Sequence, residues 1–317
     1  MNELLVVSSS PHIRGSLTVR KIMMDVTIAL LPAGIMGVYF YGWHALLIMV
    51  LSVASAVLTE AVIQKLMKKP VTVNDFSAVV TGLLLAYNVP PTAPWWLPVA
   101  GSAFAIAIVK QCFGGLGHNF VNPALAGRAF LLVSWPVLMT NFVAPGLDAV
   151  ASATPLALMK SGAVEQLPSL WNLFIGNIGG CIGETSALAI LIGAAYLVAA
   201  RLIDIRIPLS FIGTTALLTW IFGGQAGMFT GMPLHHILMG GLMLGAFFMA
   251  TDYTTSPVSP KARIVFGIGC GVITSVIRIW GGYPEGVSYS ILIMNIAAPL
   301  LDRFMKPKVF GEVKSRG

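Results

Sequence analysis

The sequence predicts an all-α polytopic membrane protein with ten transmembrane helices, and three observations lead to this fold class. The 317 residues are 56% hydrophobic and only 10% charged, with a mean hydropathy of +0.85. A soluble domain of this length has about a quarter of its residues charged. The chain also contains ten apolar segments, and its basic residues are concentrated on one side of those segments.

Five candidate spans lie in the first half, where apolar stretches are separated by short polar ones. A span needs about 20 apolar residues. The candidates are 22–41, 43–63, 76–87, 95–112 and 123–142. The third is short and interrupted, which is typical of a broken helix near the membrane midplane.

Five more candidates follow a long polar interruption at 143–183. They are 185–200, 208–222, 233–251, 264–280 and 287–301. We therefore treat 1–317 as one transmembrane domain: a first repeat at about 22–142, a loop at 143–183, a second repeat at about 184–303, and a C-terminal tail at 304–317. The first residues are too polar for a secretory signal, so we expect the first span to act as the insertion signal.

The basic residues predict the orientation. With the N-terminus inside, all but two of the 19 Lys and Arg fall on the cytoplasmic side, the exceptions being Lys160 and Arg278. Both termini are then cytoplasmic, and the 143–183 loop lies outside, as expected for a bacterial cytoplasmic (inner) membrane protein. This placement also explains the net charge of +7 without a nucleic-acid partner.

The two halves share a pattern of residues at similar spacing. Gly82, Tyr87, Pro91, Lys110 and the pair Gly114 and Gly115 correspond to Gly245, Tyr253, Pro257, Arg278 and the pair Gly281 and Gly282. Because each half holds five spans, an odd number, the halves are expected to be inverted repeats.

No metal site is expected in this chain. Its three cysteines are far apart and form no CxxC motif, and the histidines lack the spacing of haem or metal ligands. The sequence also has no GxGxxG after a strand and no soluble region large enough for a Rossmann unit. We therefore expect no catalytic residue, and no complete active site, in this chain alone.

The loop segment from Asp148 to Lys160 contains a helix start. Thr154 precedes Pro155, which suits the first helical position, so Thr154 is predicted to be an N-cap. A helix N-terminus also favours a phosphate group. The local chemistry alone favours a plain cap, since Ser or Thr before Pro is ordinary helix punctuation.

Two cytoplasmic loops contain polar residues that could bind a ligand. In FGGLGHNFVNPALAGR the glycines allow close approach, and Asn119 and Asn122 offer amides that can recognise a flat heterocycle. From these residues alone, a re-entrant turn is favoured over a ligand site, with the two amides hydrogen-bonding backbone groups that have no other partner. In MATDYTTSPVSPKAR, Asp252 and its neighbouring hydroxyls could coordinate a cation or receive hydrogen bonds from a neighbouring subunit, although helix capping before Pro257 is the simpler explanation.

Two acidic residues lie in or near predicted spans and are functional candidates for that reason. These are Asp25 and Glu60. Helical spacing would alternatively pair them with Lys21 or Lys65.

Several separated segments together resemble the NqrB/RnfD family. They are SSSPHIR, VNDFSAVVTGLLLAYNVPP, GHNFVNPALAGRAF, DAVASATPL and ATDYTTSPVSPKAR, in that order and over nearly the whole chain. The short region before the first span is more similar to the RnfD branch than to the NqrB branch. The family fold is similar to that of urea transporters, with two inverted five-helix repeats.

The resemblance implies a flavoprotein. Asp148, Ser152, Ala153 and Thr154 resemble the motif at which a flavin transferase esterifies the FMN phosphate, with Thr154 as the acceptor. Ala151 departs from the motif, where Ser or Thr is usual. The family also implies a second, non-covalent flavin, riboflavin, on the inner side near Asn119 and Asn122.

The resemblance further implies membership of the Rnf ferredoxin:NAD oxidoreductase complex, which couples electron transport to Na⁺ or H⁺ translocation. Partners would be the other Rnf subunits, lettered A, B, C, E and G, the flavin transferase, and ferredoxin and NAD through those subunits. The alternatives are a channel or secondary transporter for a small polar solute, or a scaffold. A yellow protein whose flavin survives denaturation would favour the redox function.

Overall fold

The computed structural model describes residues 17–145, 153–224 and 227–306, and almost all of their regular structure is helical. The helices of the first half and of the loop are α1 (Val19–Tyr41), α2 (Trp43–Leu66), α3 (Ser77–Tyr87), α4 (Trp96–Phe104), α5 (Pro123–Ser134), α6 (Pro136–Thr140), α7 (Pro155–Ser161) and α8 (Leu170–Ile175). Those of the second half are α9 (Ala187–Ala199), α10 (Arg206–Phe222), α11 (Pro233–Leu238), α12 (Leu242–Leu244), α13 (Pro260–Trp280) and α14 (Val287–Phe304).

Among the described residues, three helices are long and apolar enough to cross a membrane by length and composition: α1, α2 and α13. Shorter apolar helices are also present, including α3, α5, α9 and α10. Each of the ten predicted segments overlaps a helix, so the prediction of a multi-pass, all-helical protein is confirmed at that level.

Two predicted spans are broken rather than continuous, and this corrects the sequence prediction. The segment 123–142 divides at Trp135 because the residue before Pro136 is disfavoured in the α conformation, and Trp135 accordingly has φ −135° and ψ 63°. The segment 233–251 divides between α11 and α12, where Gly240 has φ +67°. A left-handed residue of this kind interrupts the helical hydrogen bonds.

The break between α11 and α12 leaves backbone groups without helical partners, and two charged side chains satisfy them. The Arg278 guanidinium donates to His236 O at 2.5 Å and to Met239 O at 3.2 Å. The Glu285 carboxylate accepts from Gly241 N–H at 3.0 and 3.1 Å. In an apolar environment, the backbone groups freed by a break in a helix need side-chain partners of this kind in place of the lost helical hydrogen bonds.

Two π-helical turns, which the sequence did not predict, are also present. One continues α4 over Ala105–Gln111, and the other follows α12 over Gly245–Met249. Turns of this type are rare and are frequently found at functional sites.

Small residues let the helices approach closely at several crossings. At the crossing of α2 and α3, a Cβ on Gly82 would lie only 2.8 Å from Val53 Cα. At the crossing of α1 and α9, a Cβ on Gly193 would lie 1.9 Å from Ala29 O. This kind of packing is typical of helices within membranes, where dispersion and close fit replace the hydrophobic effect.

Candidate functional site

A cleft between α5, α6, α7 and α14 contains Thr154, the predicted flavin acceptor, and we call it the Thr154 cleft. It has about 820 Å³ of empty space, including its open mouth. Its walls are mostly apolar and aromatic, with a few charged groups, as in many cofactor sites. The lining residues are Arg128, Ala129, Leu132, Met139, Thr140, Phe142, Thr154, Pro155, Leu156, Ile178, Gly179, Gly180, Glu184, Gly240, Tyr283, Pro284, Glu285, Ser288 and Tyr289.

Thr154 is the N-cap of α7, which confirms the predicted helix start. Its backbone is extended, with φ −65° and ψ 152°, and its Oγ1 accepts from Ala157 N–H at 3.3 Å. Ala153, the residue before it, is exposed. The other predicted motif residues, Asp148 and Ser152, lie outside the described residues, so their position relative to Thr154 stays a prediction.

Charged residues that the sequence analysis did not single out form one wall of the Thr154 cleft. The Arg128 guanidinium, on α5, donates to Asn88 Oδ1 at 2.8 Å, to Ser288 Oγ at 2.9 Å and to Glu184 Oε1 at 3.1 Å. Glu285 lies 3.8 Å from the same guanidinium. Arg128 therefore holds two carboxylates that come from distant parts of the chain.

Glu184 precedes α9 and is almost completely buried. Burial and then the negative charge of Glu285 raise the pKa of its carboxyl, the Arg128 guanidinium lowers it, and the net result is a pKa of about 7. Glu184 can therefore change its protonation state near neutral pH. In the sequence it appears only as an isolated acid at the end of the long loop, which gave no signal of this environment.

A second cleft, which we call the Asn119 cleft, contains both predicted amide residues and has about 750 Å³ of empty space. Its lining residues are Met23, Val26, Ser77, Val80, Thr81, Leu84, Lys110, Leu116, Asn119, Asn122, Pro123, Ala124, Leu197, Leu202, Ile203, Phe248, Thr251, Asp252, Tyr253 and Thr254. Both π-helical turns contribute to its walls, through Lys110 and Phe248.

The two amides are already bonded within the protein. Asn122 caps α5, with its Oδ1 accepting from Ala124 N–H at 3.0 Å and from Leu125 N–H at 3.3 Å, and its Nδ2 donates to Met249 O at 3.2 Å. Asn119 Nδ2 donates to Thr254 Oγ1 at 3.0 Å. Asn122 therefore bonds otherwise unpaired backbone groups, as the sequence analysis considered. Asn119 bonds a side chain in the second half of the chain, Thr254.

Lys110 brings a buried positive charge to the Asn119 cleft. Its Nζ donates to Ser77 Oγ at 2.6 Å and lies 2.8 Å from Glu60 Oε1. The suggested pairing of Glu60 with Lys65 is therefore wrong, because the π-helical turn delivers Lys110 to Glu60 instead. Asp25, the other acid considered there, accepts from Tyr196 OH at 3.0 Å rather than pairing with Lys21.

Asp252 faces the same cleft from the loop after the second π-helical turn. Its Oδ2 accepts from Thr254 Oγ1 at 2.8 Å and from Thr255 Oγ1 at 3.0 Å. Burial raises the pKa of this carboxyl, and the hydroxyl donors act against that effect. No group of His, Cys, Asp and Glu suited to a metal ion occurs within the described part of the chain.

Helix α5 connects the two clefts. Asn122, its N-cap, lines the Asn119 cleft, and Arg128 lines the Thr154 cleft. Six residues of α-helix correspond to a rise of about 9 Å. The Asn88 side chain lies next to both groups of residues: its Oδ1 accepts from Arg128, and its Nδ2 lies 3.7 Å from Met249 Sδ. The two candidate sites are therefore neighbours in space, although their residues are spread over most of the sequence.

Comparison with known proteins agrees with this arrangement of motifs. The model of the NQR2, RnfD, RnfE family matches residues 6–311. The chain is 57% identical to the D subunit of the Na(+)-translocating ferredoxin:NAD(+) oxidoreductase complex of Acetobacterium woodii, over 99% of this chain and 98% of the relative.

Two further relatives are also similar over nearly their whole length. The D subunit of the proton-translocating ferredoxin:NAD(+) oxidoreductase complex of Clostridium ljungdahlii is 46% identical, over 97% of this chain and 96% of the relative. The D subunit of the ion-translocating oxidoreductase complex of Stutzerimonas stutzeri is 39% identical, over 93% and 92%. On this coverage and identity, the chain is a member of the NQR2, RnfD, RnfE family.

Proposed function

We propose that this chain is the membrane-embedded D subunit of an ion-translocating ferredoxin:NAD oxidoreductase complex, in which it passes electrons between two flavins. The names of its relatives, which match it over almost their full length, support the subunit assignment. The same names favour a redox role over a solute channel. Because one relative is named for Na⁺ and another for protons, family membership alone does not set the ion.

In this proposal the first flavin is FMN, joined through its phosphate to Thr154 Oγ1. The observation that supports it most is that Thr154 faces a cleft of cofactor size rather than open solvent or packed core. The esterified oxygen keeps lone pairs, so the cap bond from Ala157 N–H is compatible with attachment. The aromatic residues Phe142, Tyr283 and Tyr289 offer apolar surface that suits a flat ring.

The Asn119 cleft would hold the second, non-covalent flavin, riboflavin. Lys110 supplies a donor, and the side-chain oxygen of Asn119, the hydroxyl of Thr81 and the carboxylate of Asp252 supply acceptors, which suits the mixed polar edge of such a ring. Asn122 would support this site indirectly, because its own amide is occupied in capping α5 and holding Met249 O.

A bound flavin supplies the redox chemistry, because it can take up and release electrons singly. The chain's own contribution is position and electrostatics. Helix α5 carries one lining residue of each cleft, Asn122 and Arg128, about 9 Å apart along its axis. Arg128 and Lys110 place one positive charge at the wall of each cleft, and each of these charges is paired with carboxylates.

The proposed topology is ten spans in two inverted repeats, with both termini in the cytoplasm and the Thr154 loop outside. Matching contacts in the two halves support it. In the first half α2 packs against α3 and α4, and α4 packs against α5. In the second half α10 packs against α11 and α13, and α13 packs against α14. The first helices of the halves, α1 and α9, also pack together.

Chemistry on ferredoxin and NAD would take place in partner subunits, lettered A, B, C, E and G, since this chain has no nucleotide-binding motif. A flavin transferase would be needed for maturation. The protein would reside in the bacterial cytoplasmic membrane as a multi-pass subunit.

A pair of threonine variants tests the covalent site. Thr154→Val removes the proposed acceptor, and Thr140→Val removes a hydroxyl from the same cleft that donates to Pro136 O instead. In cells that make the transferase, we expect in-gel flavin fluorescence to be lost in Thr154→Val and retained in Thr140→Val. Both variants should be inserted into the membrane at normal amounts. Covalent flavin that persists in Thr154→Val would refute the assignment.

The non-covalent site has a separate readout. Acid extraction releases a flavin that is not esterified, so its amount per chain can be measured in the same purified samples. We expect Asn119→Leu to lower this amount while leaving the in-gel fluorescence unchanged. The proposal for the Asn119 cleft fails if the extractable flavin is absent from the wild-type protein or is unaffected in Asn119→Leu.

A further inference from the structure

Two basic residues depart from the charge distribution of the chain, because Lys160 and Arg278 are predicted on the side where no other Lys or Arg lies. The structure brings both to the wall of one cleft, which we call the Lys160 cleft. It lies between α7, α11 and the C-terminal ends of α10 and α13, and it has about 610 Å³ of empty space. The redox proposal makes no use of this cleft.

A buried histidine on the same wall lacks hydrogen-bond partners. His236 is only 4% exposed, and neither of its ring nitrogens is bonded to another described residue. Arg278 Nε is also buried and has no hydrogen-bond partner among the described residues. A buried donor left unsatisfied costs about 1–3 kcal/mol, and in native proteins such groups are usually explained by a bound water or ion. Both unsatisfied residues line the Lys160 cleft.

The charged groups of this cleft are all donors. The Lys160 ammonium donates to the carbonyl oxygens of Gly281 and Tyr283, which leaves one of its three N–H groups for a ligand. Glu285 accepts from Arg278 at 3.4 Å, but its carboxylate lines the Thr154 cleft on the other side of Pro284. Among the described residues no carboxylate lines the Lys160 cleft, so its chemistry is complementary to an anion.

Aromatic side chains at the rim indicate where this anion comes from. Phe222 at the end of α10 lines the cleft and packs against Trp280 at the end of α13, with ring centroids 5.7 Å apart. Trp280 is 62% exposed. Exposed aromatic residues at the ends of apolar helices are typical of the membrane–water interface. Arg and Lys side chains at that level are suited to bind the phosphate of a lipid headgroup.

We propose that the Lys160 cleft binds a phosphate-bearing anion through Lys160, His236 and Arg278, and that its source is the headgroup of an anionic phospholipid. Free phosphate has the same chemistry and is the other source to be tested. The site is separate from the Thr154 cleft, with which it shares only Leu156 and Pro284 among the described lining residues.

The test compares thermal unfolding of the full chain in nanodiscs of different lipid, followed by tryptophan fluorescence. One arm replaces part of the phosphatidylcholine with phosphatidylglycerol. A second arm keeps phosphatidylcholine and adds inorganic phosphate against chloride at equal ionic strength. We expect a higher Tm with phosphatidylglycerol. A higher Tm with inorganic phosphate alone would support the site but assign it to the free anion.

Variants connect the effect to the cleft. Lys160→Met removes an exposed side chain together with its bonds to Gly281 O and Tyr283 O, so its shift is measured relative to its own Tm in phosphatidylcholine. His236→Phe keeps the ring volume and removes both nitrogens. A lost charge-assisted hydrogen bond weakens binding by about 10- to 100-fold, so we expect the shift in Tm to be lost or strongly reduced in both. Lys261→Met, an exposed lysine at the other end of α13, is the matched control and should retain the shift.

The inference is refuted if neither phosphatidylglycerol nor phosphate raises the Tm, or if Lys160→Met and Lys261→Met respond alike. Thr154→Val separates this site from the covalent flavin, since it should retain the full shift whether or not flavin is attached. Loss of the shift in Thr154→Val would place the anion in the neighbouring cleft and would also overturn the proposal.

Discussion

Replacing Gly193 by Ala should loosen the contact between the two halves of the molecule. A Cβ at Gly193 would lie 1.9 Å from Ala29 O, 2.9 Å from Ala29 C and 3.0 Å from Phe248 Cζ. Real Cβ atoms essentially never approach closer than 3.0 Å, so α9 and α1 would have to separate by roughly 1 Å. The obstacle is backbone, and no change of side-chain rotamer can relieve it.

The size of the effect follows from the packing. Overpacking a tight core costs about 1–3 kcal/mol, and a clash with backbone belongs at the upper end of that range. With an unfolding entropy of about 2.1 cal/mol/K per residue, a loss of about 3 kcal/mol lowers the Tm of a chain of this length by about 4–5 °C. Phe248 also lines the Asn119 cleft, so displacement of its ring should reduce non-covalent flavin as well.

The chain offers a matched control for this substitution. Gly213 on α10 is also a helical glycine, but a Cβ there would meet no atom within 4 Å. Gly213→Ala should therefore be neutral or slightly stabilising, by up to about 1 kcal/mol from helix propensity. Both variants can be compared with wild type by thermal unfolding in detergent. If Gly193→Ala unfolds within about 1 °C of Gly213→Ala, the α1–α9 contact is not tight in the way the structure indicates.

Two further predictions concern buried charges. Arg128→Met leaves Glu184 without its guanidinium, and breaking a buried pair of this kind costs about 3–5 kcal/mol. Because the pKa of Glu184 is raised to about 7 in the folded protein, this cost should be largest at pH 8 and should shrink as the pH falls through about 7. At pH 5.5, where the carboxyl is protonated, the loss of stability should be small. Equal losses of Tm at pH 8 and pH 5.5 would contradict this prediction. Lys110→Met should likewise destabilise the protein, because it leaves Glu60 buried and unpaired. Adding Glu60→Gln should recover much of the lost stability. A double variant that is no more stable in thermal unfolding than Lys110→Met would argue against the pairing.

Local sequence signals were sufficient for several features. The apolar segments predicted helices at the right places because burial in lipid requires nearly continuous apolar sequence. Thr154 was identifiable as an N-cap because Pro155 fixes the helix start within a few residues. Asn119 and Asn122 were singled out by their position among glycines, and both line one cleft.

The charged parts of the two clefts could not be predicted in this way. Arg128, Glu184 and Glu285 come from three separate segments, and only the packing of α5 against the second half brings them together. Lys110 reaches Glu60 because a π-helical turn rotates it inward, and such a turn has no sequence signal comparable to a proline or a cap.

The sequence by itself therefore determined the helical class and the family, because apolar runs, proline positions and short motifs act locally along the chain. The tertiary structure decided which charges pair, where Thr154 faces, and that the Thr154 and Asn119 clefts are neighbours on α5. Those properties depend on residues that are far apart in the chain. The energy of a buried charge depends on its surroundings in space, and these surroundings cannot be read from the order of the residues.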